Sequence, residues 1–170
     1  MVTESIDVCK YIGANLDPNN RLYPPSERDR VDSFLQQWES VTDTYYSYLS
    51  ASNKANVNSA RTNFAKSLQK LEPYFPDNDG PFLLGENFSI AECISAPWVQ
   101  RFHHVIPHYR AETLNDIGVS GSISKWMEAV QKRSSVIDTG VPSGEMFRAA
   151  ELYYVSYVSP GAPALKVTRT

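Results

Sequence analysis

Cysteine is scarce in this chain, and long apolar runs are missing altogether. The two cysteines, Cys9 and Cys93, stand 84 positions apart. That is too few for a disulfide-stapled scaffold, and both fall on predicted apolar helix faces, so they read as small, reduced core residues. No stretch approaches the roughly 20 apolar residues that cross a bilayer. The opening residues, Met1 to Asp7, have neither the basic nor the apolar region of a secretory signal. With reduced thiols, this predicts a cytoplasmic protein. Basic charge is not in excess: 16 Lys and Arg stand against 19 Asp and Glu, a net charge of −3. That offers no field for nucleic acid or for an anionic membrane. Gly-x-Gly-x-x-Gly, P-loop, Cys-x-x-Cys and Gly-x-Ser-x-Gly motifs are all absent, as are repeats, low-complexity tracts and period-two alternation. Asn87-Phe-Ser89 has the form of a glycosylation sequon, but that use needs secretion, and Ser89 has a better one.

What is present is helical. Hydrophobic residues make up 42% and charged residues 21% of 170 positions, enough for one sizeable core. The clearest signal is the stretch Gly80-Pro-Phe-Leu-Leu-Gly-Glu-Asn-Phe-Ser-Ile-Ala-Glu, running on to Phe102. Ser89 and Glu92 form a capping box: the serine hydroxyl meets an early helical N–H, and the glutamate reaches back to the N–H of Ser89. Phe88 and Cys93 are placed for a hydrophobic staple. Ile90, Ile94, Trp98 and Phe102 recur every four residues, which predicts a buried helix around which others pack. Pro97 should bend it, and Pro107 should end it.

The rest of the chain supplies the packing partners. Glu4 to Ile12 reads as a short helix with Ile6, Cys9 and Ile12 on one side, followed by a turn-rich segment through Pro25. Ser26-Glu-Arg-Asp29 offers a second capping box. Val31, Phe34, Leu35, Trp38, Val41, Tyr45, Tyr48 and Leu49 then mark an amphipathic helix of about six turns. A break at Asn53–Asn58 is followed by a helix carrying Ala60, Phe64, Leu68 and Leu71, antiparallel to the first. After Pro107 a polar stretch through Gly121 is ambiguous. Ile123, Trp126, Met127 and Val130 mark a helix capped near Ser122 and ending by about Ser134. Ser143 opens a last helix through Phe147, Ala150, Tyr154 and Tyr157. The expected fold is all-α, a bundle of about five to seven helices.

Several residue types suggest chemistry. At the start of a helix, Glu4 and Ser5 would border free N–H groups that favour an anion. His104 and His108 are four apart, but no third ligand is near and Pro107 interrupts the helix, so no metal site is predicted for them or His103. Lys125, Lys132 and Arg133 read as a solvated helix face.

The Gly80-to-Ser89 approach and its capping box resemble the central helix of the C-terminal helical domain of cytosolic glutathione transferases, with Glu92 where that family has Asp. Pro97-Trp98-Val-Gln-Arg101 resembles the Pro-Trp-x-x-Arg run of the omega class. The Trp126-to-Arg133 run is similar to the family's penultimate helix. The resemblance implies that residues 1–13 are the last helix of a thioredoxin-like domain otherwise missing here, with a linker over 14–25. The helical domain then covers 26–158 and a tail 159–170. It implies that Glu4 and Ser5 hold the γ-glutamyl end of glutathione, the co-substrate. Trp98, Arg101, Tyr45 and Tyr48 then line the pocket for a small electrophile or disulfide. The family's thiol-activating residue lies in the thioredoxin-like domain, so no catalytic residue is assigned here, Cys9 and Cys93 included, and this chain alone is expected to be inactive. A homodimer, or self-association through an uncovered interface, is expected. The other reading is a non-catalytic interaction module of the elongation-factor-gamma or synthetase-scaffold type.

Overall fold

The computed structural model describes residues 4–51, 53–76 and 80–150; the expected positions of Tyr154 and Tyr157 and the tail lie outside them. Within that range the chain forms α1 (Ser5–Asn15), α2 (Arg28–Ser50), α3 (Lys54–Gln69), α4 (Ile90–Arg110), α5 (Ser122–Lys132), α6 (Ser134–Thr139) and α7 (Ser143–Ala150). Two single 3-10 turns, Pro25–Glu27 and Glu72–Tyr74, precede α2 and follow α3. Among the described residues the only β pairing is two isolated bridges in the loop before α4. The fold is all-α, as the periodicity predicted.

α2 is legible residue by residue. The eight apolar positions expected on its inner face are the ones its buried face contains. They meet α3 through Phe64 and Leu68 and α4 through Phe102. Phe102 packs 4.9 Å from Tyr45 and 5.1 Å from Phe64 between ring centroids. Trp126 of α5 closes the other end against Phe75 at 4.9 Å and Phe34 and Trp38 at 5.6 Å. These edge-to-face and stacked rings form one continuous aromatic core.

Helix α4 departs from the expectation in two ways. Of the expected every-fourth stripe, Ile90 and Phe102 are buried but Ile94 and Trp98 between them are half-buried, while Ala91, Ser95, Val99, Phe102 and Ile106 form the fully buried line. The helix also passes through Pro107 and ends at Arg110, where Ala111 turns left-handed at φ 54°. Arg110 explains the extension. Its guanidinium donates to the carbonyls of Tyr48, Leu49 and Ala51 at 2.7, 2.6 and 2.8 Å. Those are orphan acceptors at the end of α2, so the last turn of α4 caps its neighbour.

Other local expectations need correcting. The capping box at Ser26 and Asp29 does not form: neither helix start there has a side-chain cap, and the Glu27 N–H instead bonds the Pro24 carbonyl in a 3-10 turn. The break before α3 is shorter than expected, because Asn53 caps the helix by accepting from Asn56 N–H at 2.9 Å. Ser122 is the first helical residue of α5, not its cap; the Glu72 carboxylate accepts from the N–H groups of Ser122 and Ile123 at 3.0 and 3.3 Å. The six residues of α6 were not anticipated. Cys93 is exposed and Cys9 half-exposed, so neither is a core residue.

The segment joining α1 to α2 is tightly organised. Asp17 accepts backbone N–H groups of Asn19, Arg21 and Leu22, chiefly the last, and these hold its carboxyl below the usual range. The Leu22 carbonyl accepts from Ile90 N–H at 2.9 Å. α1 crosses α4 at Gly13, where a β-carbon would come within 2.9 Å of Ile90 Cγ2 and 3.0 Å of Tyr23 Cβ. Lys10 of α1 pairs with Asp32 of α2 at 2.9 Å, and the Tyr23 hydroxyl donates to the same oxygen at 2.7 Å.

Candidate functional site

The capping box at the start of α4 is the anchor of the site region. Ser89 Oγ accepts from Ala91 N–H at 3.2 Å, and Ser89 N–H donates to Glu92 Oε2 at 2.9 Å. Glu92 does more than close the box. It is fully buried, and its carboxylate also accepts the Ser89 hydroxyl at 2.7 Å, Leu83 N–H at 2.7 Å and the Trp126 indole N–H at 3.0 Å. One side chain thus fastens the approach loop, the first turn of α4 and the middle of α5. A buried carboxylate is tolerable only with such complete hydrogen bonding.

Glu4 and Ser5 stand at the other end of the region. Glu4 is the extended N-cap of α1, with φ −80° and ψ 137°, and makes no side-chain cap. Ser5 is the first helical residue, and both are exposed. Among the described residues no side chain caps the first-turn N–H groups, which favour an anion. Beyond them α1 presents a row of exposed apolar side chains: Val8 is 37% exposed, Tyr11 53%, Ile12 42% and Leu16 65%. The sequence placed Ile12 on the packed side; the structure turns it outward, and Gly13 takes the contact instead.

Trp98 and Arg101 meet on the half-buried flank of α4. The guanidinium sits 4.6 Å from the indole centroid. Tyr46 and Tyr45 of α2 flank the same indole edge-on at 5.4 and 6.1 Å. Among the described residues no carboxylate pairs with Arg101. Tyr45 and Tyr48 themselves have no exposed surface. Tyr48 lies one turn further along α2 and donates its hydroxyl to Glu112; burial, then that carboxylate, pushes its pKa above the usual tyrosine range. Glu112 is held in turn by Arg61 at 2.8 Å. Tyr45 is therefore brought to Trp98 and Arg101, while Tyr48 belongs to an ionic cluster with Arg61, Arg110 and Glu112. Sequence reading missed that cluster, because Arg110 and Glu112 lay beyond the proline taken as the helix end.

A second feature had no sequence signal. A groove of about 330 Å³ runs between α4 and α6, bordered by Phe88, Cys93, Pro97, Gln100, Val136 and Val141. Phe88 and Cys93, expected to form the staple, both line it. The Phe88 ring is braced by Phe82 at 5.2 Å and by the Arg133 guanidinium at 4.3 Å. Burial between neighbouring elements pushes the Cys93 thiol up to about 11, although the residue keeps an exposed edge on the groove.

The histidines take separate roles. His103 Nδ1 lies 2.9 Å from the Val99 carbonyl, and His108 stacks on Phe147 at 4.0 Å. Among the described residues no group of three or more His, Cys, Asp or Glu side chains is placed to hold a metal ion, and no helix is long and apolar enough to cross a membrane.

A bundle of this kind, with a central helix started by a buried capping box, is the helical domain type of the glutathione transferases. The family model described as glutathione S-transferase, C-terminal domain, matches residues 27–129, and the chain belongs to that family. It is similar to glutathione S-transferase omega-1 of Mus musculus, with 25% identity over 134 residues, covering 78% of this chain and 52% of the relative. The chain thus spans about half the length of that curated relative. In three dimensions it is similar to glutathione transferase Omega 3C from Trametes versicolor, with a TM-score of 0.71 at 18% identity, covering 91% of this chain and 67% of the other. At that identity the likeness is one of fold. The comparisons do not favour the interaction-module reading.

Proposed function

We propose that this chain is the helical domain of an omega-like glutathione transferase, contributing the second-substrate side of a site that joins glutathione to electrophiles or transfers its thiol to disulfides. The observation that carries the reading is the N-terminus of α1, where Ser5 begins the helix and, among the described residues, no side chain caps it. In that role the Ser5 hydroxyl and the first-turn N–H groups receive the γ-glutamyl carboxylate of glutathione, and Glu4 lies against its amino group. Trp98 gives the second substrate an apolar face, and Arg101 beside it binds a polar or anionic end. Tyr45 supports the Trp98 ring from beneath, and Tyr48 fixes the end of α2; neither touches the ligand. The residue that activates the glutathione thiol belongs to a thioredoxin-like domain, with α1 as its last helix, and the exposed row Val8, Tyr11, Ile12 and Leu16 is the face that domain covers. A cytoplasmic location and a homodimer go with this reading.

Glutathione-agarose tests it. Retention that free glutathione reverses, and that Ser5→Ala weakens, supports the assignment. Flow-through equal to that of Ser5→Ala counts against it. The chain alone should show no conjugation or thiol transfer above a denatured control; clear turnover would refute placing the chemistry elsewhere.

A further inference from the structure

We propose that Cys9 and Cys93 close an intramolecular disulfide that staples α1 to α4. The geometry follows from where the two helices cross. Gly13, near the end of α1, touches Ile90, the first residue of α4, with a virtual β-carbon only 2.9 Å from Ile90 Cγ2. All of α4 lies C-terminal to that point and nearly all of α1 N-terminal to it. From that crossing the contact between the helices can extend only back along α1 and forward along α4. Cys9 is one turn back from Gly13, and Cys93 is nearly one turn forward from Ile90, each on the same face as its contact residue. Burial first, then the nearby Glu92 and Cys9, raise the pKa of the Cys93 thiol, which fits two cysteines on facing turns.

Two further observations favour a bond. A disulfide needs Cα atoms about 4.4–6.8 Å apart. Ordinary side chains hold helix axes about 8–10 Å apart, but the glycine at this crossing removes the side chain that would set that spacing. Both cysteines are also reachable from solvent. The oxidant is a low-molecular disulfide. The Cys9 thiolate attacks one of its sulfurs, forming a mixed disulfide and releasing one thiolate, which takes up a proton. Cys93, deprotonated, then attacks the Cys9 sulfur, forming the Cys9–Cys93 bond and releasing the second thiolate. The protein dithiol is oxidised by two electrons, and the small disulfide is reduced to two thiols. The bond fixes the helix carrying Glu4 and Ser5 against the central helix, at the junction the proposed domain division places there.

The test uses the intact chain under native conditions with cystamine, a disulfide unrelated to glutathione, so its outcome is independent of glutathione binding. Intact mass should fall by two hydrogen atoms with no cystamine adduct retained, and non-reducing peptide mapping should recover a Cys9–Cys93 cross-link. Cys9→Ser and Cys93→Ser should each keep a single mixed adduct. Closure of a loop this long should raise the Tm by about 5–15 °C over the reduced chain. Separate mixed adducts on both cysteines of the unsubstituted chain, cross-links between chains, or a bridge that forms only after denaturant is added would overturn the proposal.

Discussion

Replacing Glu92 should produce a graded loss of stability that depends on how many of its four hydrogen bonds survive. In Glu92→Gln the amide oxygen can keep Leu83 N–H and the Trp126 indole, now at 2.7 and 3.0 Å. The amide NH2 then faces Ser89. The Ser89 hydroxyl can rotate to accept, but Ser89 N–H, now 2.9 Å from the carboxylate, meets a donor. One charge-assisted bond is lost outright and the rest are weakened, a cost of about 2–3 kcal/mol. Glu92→Leu leaves all four donors buried without an acceptor. At about 1–3 kcal/mol per orphaned group, less the desolvation of the carboxylate itself, this amounts to about 4–6 kcal/mol. For a domain of this size each kcal/mol moves Tm by about 2–4 °C, so the two variants separate clearly in thermal and urea unfolding. Equal effects, or a glutamine variant within about 0.5 kcal/mol of the parent, would show that Glu92 fills space and does not act as a hub.

Arg110→Ala should cost about 2–4 kcal/mol by releasing three carbonyls at the end of α2, and hydrogen exchange should speed up at residues 48–51 first. Arg110→Lys should recover only part of this, since all three carbonyls meet the one terminal nitrogen Nη2, which the shorter lysine side chain reaches less well. Gly13→Ala should destabilise by about 1–3 kcal/mol through overpacking against Ile90 and Tyr23, measured by urea midpoint; a neutral or stabilising effect would argue against the close crossing. His103 gives a pH signature. Burial, only partly offset by the Val99 carbonyl, lowers its pKa from 6.5. The folded state therefore binds fewer protons than the unfolded one, so its contribution is complete above pH 6.5 and declines as pH falls through the folded value. His103→Gln should flatten unfolding free energy against pH in that window, and an unchanged slope would refute the assignment.

Legibility followed the range of each interaction. The inner face of α2 was readable because burial on one side imposes a helical period that only sequence spacing is needed to see. The Ser89–Glu92 box was readable because its signal spans four residues. Its second function was not, since the Trp126 indole comes from 34 positions away. The Ser26–Asp29 pattern had the right letters but followed two prolines, and the 3-10 turn they set up displaced the cap. Pro107 misled in the opposite direction: the loss of one backbone bond is outweighed by three from Arg110 to α2, a gain visible only in three dimensions. Of the candidate site, Trp98 and Arg101 were singled out by resemblance, and the structure sets the guanidinium 4.6 Å from the indole centroid. Tyr45 and Tyr48 carried the same periodic signal as the core residues around them, and a helical period cannot tell a pocket wall from packing. The groove beside α6 depends on a helix of six residues, too short to show a period.

Position ties these elements together. Ile90 follows the Ser89 cap directly, donates its N–H to the Leu22 carbonyl, and is the residue Gly13 rests on. The helix bearing Glu4 and Ser5 is therefore referenced to the central helix through the same turn that Glu92 fastens. Disturbing Glu92 should reach α1 without any contact between them, and a proteolytic cut within α1 should become faster in Glu92→Gln than in a variant equally destabilised elsewhere, such as Arg110→Ala. Equal rates at matched stability would mean that the influence of Glu92 stops at α5.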